Sequence, residues 1–257
     1  MQVKYVPLLQ QQKQIQVMPR HRLRFDVYLN GMLSQDRQEC LVPPMVFANP
    51  MAKDHVLAVL DRLLEQNCEN MIKDQIELSV KSSIKQFPNK THRFPKQILQ
   101  FSAVVIDDLK GGWTNRYATE YQLRIVLPRN NSTWLTIPIW SSDLPDVQLV
   151  ISTAKMTWYR SFYQLVHGVP KTIPELLNQE GYALLQSRCE VPVLSTEELE
   201  YTHDLIKKKY HQLDLNSFVE VLFGDLAAAS LGFTQNGFSP QAGLALALHQ
   251  TKKQRLL

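Results

Sequence analysis

The chain has 257 residues, 44% of them hydrophobic and 20% charged, with four tryptophans, which is enough apolar material for a sizeable core and excludes an intrinsically disordered class. Nine glycines and fourteen prolines fall in no collagen-like period, and no apolar run approaches the roughly 20 residues needed to cross a bilayer. Net charge is +4, yet thirteen of the 28 bases sit in three stretches without an acid: before Asp26, between Glu77 and Asp107, and after Asp225. If these stretches share a face they attract phosphate or an acidic partner; if they do not, each is a separately solvated surface.

The N-terminus runs from Met1-Gln2-Val3-Lys4-Tyr5 into Gln10-Gln11-Gln12, without the apolar segment and small-residue cleavage site of a secretory signal. Cys40, Cys68 and Cys189 are odd in number and form no CxxC pair, as expected of reduced thiols. Together these features predict a cytoplasmic protein.

Leu23, Phe25, Val27 and Leu29 alternate with Arg24, Asp26 and Tyr28, a period of two that predicts a half-buried strand within about 20–30, ending at Asn30-Gly31. Asn49-Pro50 then resembles a helix start. Val56, Leu57, Leu60, Leu63 and Leu64, followed by Met71, Ile72, Ile76, Val80 and Ile84, keep a helical spacing that predicts one or two helices over 51–86. Strands are predicted over 98–106, over Tyr121 to Leu127 by alternation, and over Leu135 to Ile139, where Pro138 requires an edge strand or a bulge.

From Asp143 onward the pattern is helical: a broadly apolar helix from Val147 stops at Gly168, and Thr172-Ile173-Pro174-Glu175 and Ser195-Thr196-Glu197-Glu198 have the capping-box form. Two more helices are predicted, around Phe218–Leu231 and from Ser239-Pro240 through Ala247, with small residues that permit close contact. Strands first and helices after, joined by short connections, predict an α+β fold: an antiparallel sheet of about four strands, from roughly 20–30 and 98–140, packed by the N-terminal helices and a C-terminal helical half. The expected organisation is one domain over 1–257, with 1–142 and 143–257 as the alternative division.

The richest polar segment is Asp107-Asp108-Leu109-Lys110-Gly111-Gly112-Trp113-Thr114-Asn115-Arg116-Tyr117. Paired carboxylates at a strand end divide acid and base roles by repelling each other's charge, which makes Asp107 and Asp108 the catalytic candidates. Lys110 and Arg116 are suited to an anion, Trp113 to a planar group, and Asn115 and Tyr117 complete the candidate ligand-binding set. The same residue types also make ordinary hairpin connections. The seven histidines form no HExxH or HxH pattern and have no cysteine at zinc spacing, so no metal site is expected. No nucleotide-binding glycine loop and no GxSxG turn is present, and no cofactor is indicated.

The leading expectation is therefore a protein that binds a small anionic or planar ligand at 107–117, with acid/base chemistry by Asp107 or Asp108 as its catalytic form. A second reading uses the basic segment 81–96, in which Lys81, Lys85, Lys90, Arg93 and Lys96 surround Phe87, His92 and Phe94, to bind nucleic acid or an acidic partner. A third is an adaptor without a small-molecule site. Sequence separates them only through the placement of Asp107, Asp108, Lys110 and Arg116: they converge, or they point apart.

Overall fold

The structure is a computed structural model describing residues 2–52, 54–86, 98–109, 113–130, 132–209, 211 and 213–255. Strand β1 (Val3–Tyr5) is followed by α1 (Leu9–Gln16), α2 (Arg22–Met32), α3 (Asp54–Glu65), α4 (Cys68–Gln86) and β2 (Leu99–Ile106). A short helix α5 (Arg116–Tyr121), a π-helical stretch (Gln122–Val126) and a single turn α6 (Leu127–Arg129) lead to β3 (Trp134–Trp140). The rest is helical: α7 (Val147–His167), α8 (Ile173–Ser187), α9 (Thr196–Lys207), α10 (Leu215–Phe223), α11 (Asp225–Ser230) and α12 (Ala242–Arg255). Among the described residues no helix is long and apolar enough to cross a membrane.

The α+β content agrees with the sequence, but the sheet does not. It has three strands in the order β1-β2-β3, and both pairings are parallel. The antiparallel, four-stranded sheet expected above is therefore incorrect, and the reason lies in the connections. Helices α1–α4 join β1 to β2, and helical turns from Arg116 to Arg129 join β2 to β3, whereas antiparallel neighbours are joined by short turns and parallel ones by long crossovers. Two expected strands are helices. Residues 22–32 begin a helix at His21, whose ring Nδ1 accepts the Leu23 amide at 3.1 Å. That helix buries Arg24, Tyr28 and Met32 at a spacing of four and leaves Leu23 and Val27 exposed. The alternating apolar residues were thus not the buried set. Residues 121–127 are likewise helical, held by the Arg124–Glu120 ion pair at 2.7 Å across one turn.

The chain divides into two compact units, Met1–Arg116 with Ser132–Trp158, and Tyr117–Asn131 with Tyr159–Leu257. In the first, β2 is buried on both faces, as expected of a parallel strand covered by helices. Phe101 of β2 meets Trp158 of α7 with ring centroids 5.8 Å apart, and the Trp158 indole donates to Ser83 Oγ of α4 at 2.9 Å. Because β1 ends early, the β2 backbone beyond it needs another partner. Gln12 supplies one: its Nε2 donates to the Val105 carbonyl at 2.6 Å and its Oε1 accepts the Val105 amide at 3.0 Å. Pro138, opposite Val104 on the edge strand β3, is tolerated as expected. The predicted helical region 51–86 is two helices, broken where Asn67 takes a left-handed conformation at φ 53°.

The second unit places ions in its interior. Glu180, fully buried on α8, accepts from Arg160 at 2.9 Å and from Arg124 at 3.1 Å, and Arg124 also binds Glu120. Two guanidinium groups and two carboxylates balance. Burial, then the charge of Arg124, pushes the Arg160 guanidinium below its ordinary value, while Glu180 and Glu120 oppose that shift. Ser195 with Glu198 and Asp214 with Ser217 form complete capping boxes, whereas Glu175 turns to the Lys171 amide and leaves only the Thr172 half of the expected box. Gly181 faces the Ala247 carbonyl and Gly243 the Val221 carbonyl so closely that a β-carbon at either would collide with backbone. The small residues of this region do permit close helix contact.

Candidate functional site

Register builds the site. Ile106 lies opposite Trp140 in the parallel β2–β3 pair, so the residues that leave both strands, Asp107-Asp108 and Ser141-Ser142-Asp143, emerge side by side. Open α/β folds bind ligands outside the carboxyl ends of their strands where the strand order reverses; the order β1-β2-β3 has no reversal, so the case for a site here rests on its side chains.

The two aspartates turn to different partners. Asp107, 4% exposed, accepts from Asn49 Nδ2 at 2.9 Å through Oδ2 and bonds His55 Nε2 at 2.9 Å through Oδ1. Asn49 is itself fixed: its Oδ1 accepts the Met51 amide at 2.9 Å, which aims the Nδ2 group at Asp107. His55 stands in the first turn of α3 with 30% of its side chain exposed. A carboxylate only accepts, so Nε2 is the donor and Nδ1 of the neutral ring carries the lone pair. No hydrogen-bond partner for Nδ1 occurs among the described residues.

Asp108 turns toward β3. It accepts the Ser142 amide at 3.0 Å, Ser142 Oγ at 2.6 Å and Ser141 Oγ at 3.3 Å, and Arg116 Nη1 stands 3.8 Å away. Arg116 directs both terminal nitrogens at Asp143, at 2.5 and 2.8 Å, and lies over the Trp140 ring at 5.3 Å. Its charge is thus met by two carboxylates. Among the described residues no three His, Cys, Asp or Glu side chains come together as metal ligands.

Of the residues singled out in the sequence, Asp108 and Arg116 come together, while Asp107 faces away from them toward α3. Trp113 is half exposed and Asn115 is exposed. Tyr117 belongs to the second unit, its ring 5.1 Å from that of Phe223. Lys110 lies outside the described residues, as do Lys90, Arg93 and Lys96; Lys81 and Lys85 are exposed one turn apart on α4. Sequence reasoning missed Asn49, His55, Ser141, Ser142 and Asp143. The signal for the last three was their position just after a strand; His55 had none, since the helix expected from Asn49-Pro50 begins only at Asp54. Compared with protein-family models, with curated proteins and with solved structures, the chain matches none.

Proposed function

We propose that the carboxyl end of β2 and β3 binds a small molecule and moves a proton on it, with His55 as the acid/base group and Asp107 as the carboxylate that orients it. One observation carries the reading: a buried carboxylate, itself held by Asn49, bonds one nitrogen of a partly exposed imidazole, whose other nitrogen has no hydrogen-bond partner among the described residues. Catalytic imidazoles are commonly oriented in this way by a third group, which sets the tautomer and stabilises the imidazolium when a proton arrives. Asp107 thereby becomes a positioning residue, and Asp108 orders the Ser141–Asp143 turn. Arg116, already met by Asp143 and Asp108, is a support of that turn and not the anion holder the sequence suggests. The exposed ring of Trp113 suits the planar part of a ligand. The setting we infer is cytoplasmic, supported by three free cysteines. Burial, then the charge of Glu69, pushes the Cys68 thiol up to about 12, so it is an inert core residue.

The test is consumption of a compound from a small-molecule extract, followed by mass spectrometry, with wild type, His55→Gln and Asp107→Asn. The reading predicts a compound changed by wild type, unchanged by His55→Gln, and slowed by a factor of about 100 or more by Asp107→Asn. Equal consumption by wild type and His55→Gln, or none by wild type, contradicts it.

A further inference from the structure

Arg24 is 2% exposed on α2, yet among the described residues no carboxylate lies within ion-pair distance of it. Its Nη1 donates to the Met18 carbonyl at 3.1 Å, its Nη2 to Gln16 Oε1, and its Nε has no partner. A guanidinium has five N–H donors, so neutral acceptors take two and leave the charge unmatched. Burying a charge without a counter-ion is among the costlier arrangements in a protein. Arg20, four residues before it, is also cationic, and the acid whose charge reaches Arg24, Asp54, is bound by Arg20 at 3.0 Å. Burial, then the charge of Arg20, pushes the Arg24 guanidinium down from its ordinary value, with Asp54 opposing. Two cations therefore share one anion.

This cluster adjoins the proposed acid/base pair. Gln16, which binds Arg24, donates to the Asn49 carbonyl at 2.6 Å, and the Asn49 side chain holds Asp107. Asp54, which binds Arg20, precedes His55 in the first turn of α3, where the helix dipole also favours a negative group. Arg20 and Asp54 lie at the solvent edge, with side-chain exposures of 45% and 101%, while Arg24 is interior. An exposed and an interior guanidinium thus stand four residues apart.

We propose that Arg24, assisted by Arg20, seats an oxyanion, a phosphate or carboxylate group, on the molecule that His55 acts upon. The Nε–H and the unused Nη–H groups of Arg24 form the fork that oxyanions accept in pairs. The inference rests on the acid/base reading for what lies next to the anion, but it is tested separately.

Inorganic phosphate and acetate are the probes, titrated at constant ionic strength against chloride and followed by amide NMR shifts. The expected result is a saturable shift with at least one probe, centred on residues 16–24 and 49–55 and absent with chloride. Arg24→Gln should weaken it by about tenfold or more and Arg20→Gln by a few-fold. Phosphate alone marks a phosphorylated ligand, and acetate alone a carboxylic acid. Arg20→Gln, at an exposed position, keeps the test decisive if Arg24→Gln does not fold. His55→Gln should retain the shift, so lost chemistry with intact anion binding leaves this inference standing. No saturable shift with either probe overturns it, as does a shift unchanged in the arginine variants that fold.

Discussion

Each unit of the molecule contains a cluster of charged side chains, and they differ in how the charge is met. In the second unit, Glu180 holds Arg124 and Arg160, Glu120 holds Arg124 again, and the account closes internally. In the first, Asp107 shares its charge with an amide and an imidazole, and Arg24 faces only carbonyl oxygens. Ions that balance one another specify packing; groups with unused donors or lone pairs can still act on something else. Burial alone does not separate the two cases, since Glu180 and Asp107 are both interior. The state of the partners does.

That contrast is broken most severely at Glu180. Replacing it by Gln leaves Arg160 without its carboxylate partner and should cost about 3–5 kcal/mol in denaturant unfolding. Adding Arg160→Met should recover much of the loss, because a buried pair removed together is far less costly than one half of it. If the single variant is as stable as wild type, the second cluster is not the closed structural one described.

Gln12→Leu comes next. It removes both hydrogen bonds to Val105 and should cost about 1–3 kcal/mol. Amide hydrogen exchange at Val105 should accelerate with it; unchanged exchange would show that the side chain does not complete the sheet.

Glu69 adds a pH-dependent effect. Burial raises its carboxyl above the usual range, outweighing the Leu9 and Leu8 amides and the Tyr5 hydroxyl, which favour the charged form. The folded state then holds the proton more tightly than the unfolded one. Stability from this group is complete below the ordinary glutamate range and is lost as pH rises through the raised value. The thermal midpoint of wild type relative to Glu69→Gln should fall over that window, just above the usual carboxylate range. A relative midpoint that climbs there would reverse the assignment.

The smallest change is expected at Arg116. Its side chain is 30% exposed and its partner Asp143 is 32% exposed, so Arg116→Gln should alter stability by no more than about 1 kcal/mol and leave oxyanion binding intact. Loss of phosphate or acetate binding in this variant would move the anion seat from Arg24 to Arg116.

Legibility in the sequence followed the range of the interactions. The helices of 51–86 and the strands at 99–106 and 134–140 could be read because their apolar spacing is what buries them. Residues 22–32 could not: Leu23, Phe25, Val27 and Leu29 alternate as in a strand, while the buried column is Arg24, Tyr28 and Met32, and an arginine on the inner face carries no apolar signal. The parallel direction is hidden because 121–127 alternates like a strand, which makes the connection from β2 look too short for a crossover. Asp107 and Asp108 were legible as acids at a strand end. Their partners were not, because His55 lies 52 residues from Asp107 and Ser142 lies 34 from Asp108, and only the sheet register brings those segments together.

On the proposed reading Asp107 fixes His55 with a proton on Nε2 and a lone pair on Nδ1. Long-range proton–nitrogen correlation of the ring at neutral to mildly alkaline pH reads this directly. A protonated Nε2 and an unprotonated Nδ1 are expected in wild type, with that preference lost in Asp107→Asn. A His55 ring that carries its proton on Nδ1, or one whose tautomer is unchanged in Asp107→Asn, would contradict it.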